Sequence, residues 1–286
     1  MNGPAATPRP DLPQPDIEAA LRIAPDALRR APLERLVRLL VYGLMAAAFA
    51  VMCHNVGFNP DTFGRGMSKL LGFMSGMFPP TANGGEVRIL TALATTFAMA
   101  VAGTALAVAG ALPLGLLGAK TLVRQPLVHF LIRRTFDMFR GIPALVWALV
   151  LIVAFGLGPF GGVIALALSD IPRLAKLNAE AIENADTRPQ EGIRAAGGNA
   201  LHAIRFGLLP QVAPVIASQS LYVLESNFRS AAILGIVGAG GIGYELEERI
   251  RIFAFDQVAW IVIAYVICVM ILDFVSERIR THLIHG

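Results

Sequence analysis

At 286 residues, 55% hydrophobic and only 15% charged, the chain is too apolar to cover itself with polar groups in water. Its mean hydropathy of +0.62 and its long uncharged runs exclude an ordinary soluble domain and leave a membrane protein. The net charge of +4 does not imply nucleic acid, because most arginines flank apolar runs, where they anchor helices.

In chain order, residues 1–35 are read as a proline-rich cytoplasmic tail, holding Pro4, Pro8, Pro10, Pro13 and Pro15, with a short interfacial helix expected over 26–40. A helix needs roughly 20 apolar residues to cross a bilayer, and six segments are read as spans: 36–56, 89–118, 141–157, 162–177, 208–237 and 258–275. The second span is rich in Ala and Gly, which suits close helix packing, and Pro113 is expected to kink it. The fifth is read as broken. Between the first two, Phe63, Met67, Leu70, Leu71 and Met74 recur at helical spacing, so a short helix on the outer membrane face is expected, with a partial crossing as the alternative. Cys53 and Cys268 both lie in apolar runs, and neither a disulfide framework nor a metal site can be read from them.

With the N-terminus inside, the inner segments hold eighteen of the 24 lysines and arginines and the outer segments six. That asymmetry places both termini in the cytoplasm. A polar segment, 178–207, then faces the cytosol between the fourth and fifth spans. Ala179 to Asn184 and Pro189 to Ala196 read as helical, with Pro189 in a first turn and Gly197 at a helix end. Composition alone leaves an ordinary polar loop as the alternative.

Glu191-Gly192-Ile193-Arg194-Ala195-Ala196-Gly197, followed after a spacer by Leu209-Pro210, resembles the loop by which permeases of ATP-binding-cassette importers engage their ATPase. Glu191, Gly197, Leu209 and Pro210 fall at the family's spacing; Gly192 and Ile193 replace its usual alanines, and Gly207 replaces an aliphatic residue. Arg140 to Trp147, Gly156 to Val163, and Glu225-Ser226-Asn227-Phe228-Arg229 followed by the glycine-rich run to Gly243 look like phosphonate importer permeases. The resemblance covers residues 87–280, and the glycine-rich run is shared with methionine importers.

The resemblance implies an all-α integral membrane protein of about six transmembrane helices, with a type I importer permease core and a cytoplasmic coupling helix. The expected organisation is the tail 1–35, a first span and outer segment 36–86, the transporter domain 87–280 and a cytoplasmic end 281–286. The implied function is ATP-driven alternating access for phosphonate or a related phosphorus oxyanion, with methionine or another small solute as the alternative. Glu191, Gly192, Ala195, Ala196, Gly197, Leu209 and Pro210 would dock the ATPase. No cofactor is expected on this chain, ATP and magnesium being used by the partner ATPase. The expected partners are an ATPase dimer, a second copy of the permease, a periplasmic phosphonate-type binding protein and membrane lipid, with no nucleic acid.

Counting about 1.5 Å per residue from Leu209 puts Glu225 roughly 24 Å along the fifth span, in the outer part of the bilayer, with Arg229 a turn beyond. Glu225, Asn227 and Arg229 are therefore expected along the substrate path, Arg229 helping transfer from a binding protein; a simple Glu225–Arg229 helix salt bridge is the alternative. Gly238, Gly240, Gly241 and Gly243 suit a periplasmic gate or, equally, a flexible exit loop. His129, Arg133 and Arg140 share a face read as a headgroup or ATPase contact. Leu114 to Thr121 lacks the glycines of a phosphate-binding P-loop, and no HExxH or GxSxG motif supports an intramembrane enzyme. A solitary carrier is disfavoured by the loop.

Overall fold

A computed structural model describes residues 32–285 except 59 and 124. The expected tail therefore lies outside the described residues as far as residue 31. The chain forms two units, residues 1–71 and 72–286. In the first, α1 (Pro32–Asn55) is apolar on every side beyond Arg38, and Leu39, Leu44, Phe49 and Met52 are all exposed. Such a helix has lipid as its natural solvent. The interfacial helix expected over 26–40 is not separate in its described part, because residues 32–40 are the opening turns of α1. The amphipathic α2 (Pro60–Ser75) follows and straddles the boundary between the units.

The second unit is built around two long helices. α3 (Glu86–Gly118) runs about 50 Å and α6 (Pro159–Glu183) about 37 Å. Between them come α4 (Pro126–Arg140) and α5 (Ala144–Phe155). Beyond α6 lie α7 (Arg188–Ala195), the short α8 (Ala200–His202), a π-helical stretch Ala203–Leu208 and α9 (Leu209–Leu234). A second π-helical stretch, Gly235–Ala239, leads to α10 (Ile242–Arg251) and α11 (Phe255–His285). The helix α11 continues well past residue 275, so residues 281–285 are helical too.

α3 packs on α6 through small residues. A methyl group added at Gly103 would lie 2.9 Å from Leu166 Cβ, at Gly110 3.0 Å from Ile171 Cδ1, and at Gly115 2.7 Å from Asn178 Cβ. Ala107 and Ala111 on the same stripe are wholly buried. Backbones approach closely where side chains are this small, which lets dispersion act between apolar helices in lipid. Four apolar layers succeed one another along α3: Ile89 with Ile242 and Ile261, Met99 with Leu166 and Leu234, Ala107 with Leu174 and Val223, and Ala119 with Ile182 and Leu208.

Four helical segments among the described residues are long and apolar enough to cross a membrane, five if α4 and α5 count as one bent span. The four leave out two of the six spans expected from sequence, 141–157 and 162–177, for two reasons. α5 has only 12 residues, about 18 Å, and meets α4 at an 80° bend. The cause is Gly141-Ile142-Pro143, since Pro143 offers no N–H and pushes the residue before it out of helical geometry. Phe139 and Trp147 stack across the bend with centroids 6.1 Å apart. The expected span over 162–177 has the opposite character. α6 is long enough but carries Asp170, Arg173 and Lys176, and no residue from 161 to 183 is exposed. A helix surrounded by protein has no need of the uniform apolarity that lipid demands. α6 also continues through Pro172 to Glu183, so the helix expected over 179–184 is its end.

Replacing Gly103 or Gly115 by Leu should force α3 and α6 apart, at a cost of about 1–3 kcal/mol. The expected result is a melting midpoint lowered by several degrees in detergent, with lower membrane abundance. Gly43→Leu on α1, where nothing lies within 4 Å of the added atom, should leave both unchanged.

Candidate coupling and translocation sites

The segment expected to dock a partner is held out from the bundle on a stiff base. α7 has no buried residue, and Glu191, Gly192, Ala195, Ala196 and Gly197 are all exposed. Its end is closed by a paired turn in which Gly197 N donates to Arg194 O at 3.0 Å and Gly198 N to Ile193 O at 2.9 Å. This arrangement places the residue after the helix in left-handed geometry, which Gly197 adopts with φ +87°. Asn199 Oδ1 then accepts from His202 N at 2.9 Å and starts the next helix. Leu209 and Pro210 are exposed, and Pro210 sits in the first turn of α9.

Two features of this segment are not legible from the motif. Gln211 clamps both ends of the loop: its Oε1 accepts from Asp186 N at 3.0 Å, and its Nε2 donates to Asp186 O at 3.0 Å and Gly207 O at 2.6 Å. Asp186 in turn accepts from Arg188 N through Oδ1 at 3.0 Å. Gly207, a departure from the family pattern, has a physical reason. A Cβ there would lie 3.0 Å from the Cα, N and Cγ of Gln190, so its absence lets α7 lie against the π-helical stretch. Below this base, Ile182, Leu208 and Val212 form a buried apolar layer.

The three expected path residues are all on α9 but do not converge. Glu225 is buried and accepts from Arg280 Nη2 at 2.6 Å, while Arg229 is half exposed and lies 3.7 Å from Asp273. The Glu225–Arg229 bridge is therefore not made; both residues pair with α11 instead. Along α9 they lie between Val223, in the layer of Ala107 and Leu174, and Leu234, in the layer of Met99 and Leu166.

Asn227 points elsewhere. It is buried and donates to Thr104 Oγ1 on α3 at 3.0 Å, with the Asp170 carboxylate beside its amide. Asp170 is buried on α6, with Arg173 Nη2 3.2 Å away. A polar layer of Thr104, Asp170, Arg173 and Asn227 thus crosses the bundle through three helices. The motifs do not mark Asp170 and Arg173, although a charged pair inside an otherwise apolar segment is the signal that could have found them.

The glycine run is a packed turn. Gly238, Gly240 and Gly241 have φ of +106°, +83° and +71°. Gly238 O accepts from Gly158 N at 3.0 Å, which ties the run to the turn between α5 and α6. A Cβ on Gly243 would lie 1.8 Å from Ala232 O, so only glycine lets α10 fold back on α9. Thr96 on α3 accepts from Ile242 N at 2.8 Å and satisfies an N–H at the start of α10. Arg88 pairs with Glu245 at 2.7 Å and with Glu248, and Arg249 Nε donates to Gln257 Oε1 at 2.7 Å. These contacts fasten α10 to α3 and α11.

Residues 111–286 match the family described as binding-protein-dependent transport system inner membrane component. The chain is 34% identical over 244 residues to the phosphite transport system permease protein PtxC of Stutzerimonas stutzeri, covering 84% of this chain and 88% of that one. It is 35% identical to the phosphate-import permease protein PhnE of Mycolicibacterium smegmatis, over 93% of this chain but only 50% of that protein's length. The probable D-methionine transport system permease protein of Haemophilus influenzae is more distant, at 26% identity over 69% of this chain and 98% of that one. In fold, the chain matches a structure of the MetNI methionine ABC transporter in an inward-facing conformation, with a TM-score of 0.63 and 21% identity, over 71% of this chain and 99% of that chain. With the match spanning α4 to α11, this helical, multi-pass membrane chain belongs to the binding-protein-dependent transport system inner membrane components.

Proposed function

We propose that the chain is the permease subunit of an ATP-binding-cassette importer for a phosphorus oxyanion: phosphonate, phosphite or phosphate. The family supports an importer permease, and the permeases named for phosphite and phosphate support the substrate class over methionine, whose permease is the more distant relative. The observation that carries the mechanism is the exposed α7 on its clamped base. A helix that is to transmit an ATPase's closing motion must move as one body with the helices behind it. The Asp186–Gln211 clamp and the Gly207 contact supply that stiffness, so a push on α7 is delivered to α6 and α9 together.

In this reading Glu191, Gly192, Ala195, Ala196 and Gly197 face the ATPase, and Leu209 and Pro210 begin the helix that carries the motion inward. Both termini are cytoplasmic. Two copies of the chain work with two ATPase subunits, which bind ATP and magnesium, and with a periplasmic binding protein. The turn from Gly238 to Gly243, braced by Thr96 and Gly158, is the periplasmic gate, and its close packing suits a closed outer end. Arg229, paired to Asp273 at 3.7 Å with both side chains half exposed, contributes positive charge to the path. A single contact of that length leaves other N–H donors of the guanidinium for an anion.

Three measurements test this reading. Gly207→Leu should lower uptake by roughly tenfold or more at equal membrane abundance and release the ATPase during co-purification, as loss of a well-packed contact of about 1.4 kcal/mol or more would require. Retained uptake and retained ATPase would count against α7 as the docking element. A cysteine placed at Gly192 should be labelled only from the cytoplasmic side; labelling of intact cells by an impermeant reagent reverses the topology. Arg229→Gln should reduce phosphonate or phosphite uptake several-fold, and wild-type uptake removes Arg229 from the path.

A further inference from the structure

Away from α9, a cavity of about 630 Å³ lies between the connection after α3, α4 and α6. Its polar lining is Lys120, His129, Arg133, Arg134, Asp137 and Lys176, four cations against a single carboxylate. Glu183 lies beyond the lining, accepting from Arg133 Nη2 at 2.9 Å and Lys120 N at 2.7 Å. Asp137 is shared between Lys176 at 2.7 Å and Arg134 at 3.6 Å, with Arg140 at 3.8 Å from outside the lining. Positive charge therefore remains in excess after every internal pairing.

A second observation points to a ligand. His129 is only 8% exposed, yet its Nδ1 has no hydrogen-bond partner among the described residues, and neither does Nε of the neighbouring Arg133. A buried polar atom without a partner costs about 1–3 kcal/mol, and turning these two shielded nitrogens toward a guest in the cavity recovers that cost. Guanidinium and ammonium groups from three chain segments suit an oxyanion with several acceptor oxygens. Beside the basic lining is an apolar edge. Phe130 lines the cavity with the Arg134 guanidinium 5.2 Å over its ring, and Leu127 and Leu131 on the same helix are exposed.

We propose that this cavity binds a phosphate group and that its favoured source is an anionic phospholipid, the headgroup between α4 and α6 and the acyl chains along Leu127, Phe130 and Leu131. Basic pockets between membrane helices bind lipid headgroups by this combination of charge and apolar flank. No residue of α9 lines the cavity, so the site does not depend on the roles proposed for Glu225, Asn227 and Arg229.

The test uses the full chain purified in detergent, with phosphatidylglycerol, phosphatidylcholine or inorganic phosphate as the added probe, read by native mass spectrometry and thermal shift. Phosphatidylglycerol should be retained in preference to phosphatidylcholine. The exposed substitutions Lys120→Gln and Arg134→Gln together should weaken that binding by roughly tenfold or more. His129→Phe, which removes the unpartnered nitrogen, should weaken it separately, and Arg278→Gln, outside the cavity, should not. If inorganic phosphate binds instead, with the same dependence on Lys120, Arg134 and His129, the site stands with a soluble source. If neither probe binds saturably, or binding ignores these substitutions, the proposal is overturned.

Discussion

Two helices can approach to backbone distance only where neither puts a side chain in the way, and α3 meets that condition along most of its length. Gly103, Ala107, Gly110, Ala111 and Gly115 leave room for the larger residues of α6. In lipid there is no water to expel between apolar helices, so this close dispersion contact has to do what the hydrophobic effect does elsewhere. The four apolar layers, the polar layer through Thr104 and the base of the exposed loop all take their positions from this pair. α6 becomes the enclosed helix of the unit, which is why it tolerates Asp170, Arg173 and Lys176.

The ends of the unit are stiffened by different means. At the α7 end the tie is a neutral amide, Gln211, satisfying both backbone groups of Asp186 across the loop. Such a tie survives in water because its groups are short, local and geometrically matched. At the α10 end the tie combines glycine contact, a threonine hydroxyl, the ion pairs of Arg88 and the hydrogen bond from Arg249 to Gln257. A helix unit clamped at both ends is suited to moving as a body, which the proposed transport cycle requires.

The charges along α9 illustrate how neighbours decide a residue's role. Glu225 and Arg229 are spaced for a bridge within one helix, yet each is taken by α11, through Arg280 and Asp273. Two residues from each, Asn227 turns to the opposite side and joins α3 and α6. The helix thus carries ionic contacts on one face and a buried hydrogen-bonded layer on the other.

Composition, apolar runs and the spacing of Glu191, Gly197, Leu209 and Pro210 were enough to read a helical membrane permease with an exposed loop, because these are local properties. Hydropathy reports lipid exposure, glycine at position 197 reports a helix end, and a motif reports its own spacing. Tertiary structure alone decided which runs are bent and which are enclosed by protein. Pro143 bends α4 against α5, and burial frees α6 from the need to be apolar, so neither obeys a hydropathy count. It also decided the partners of Glu225 and Arg229, the reason for Gly207 and the clamp made by Gln211. Each depends on a residue far along the chain, and no local pattern records which distant side chain will be opposite.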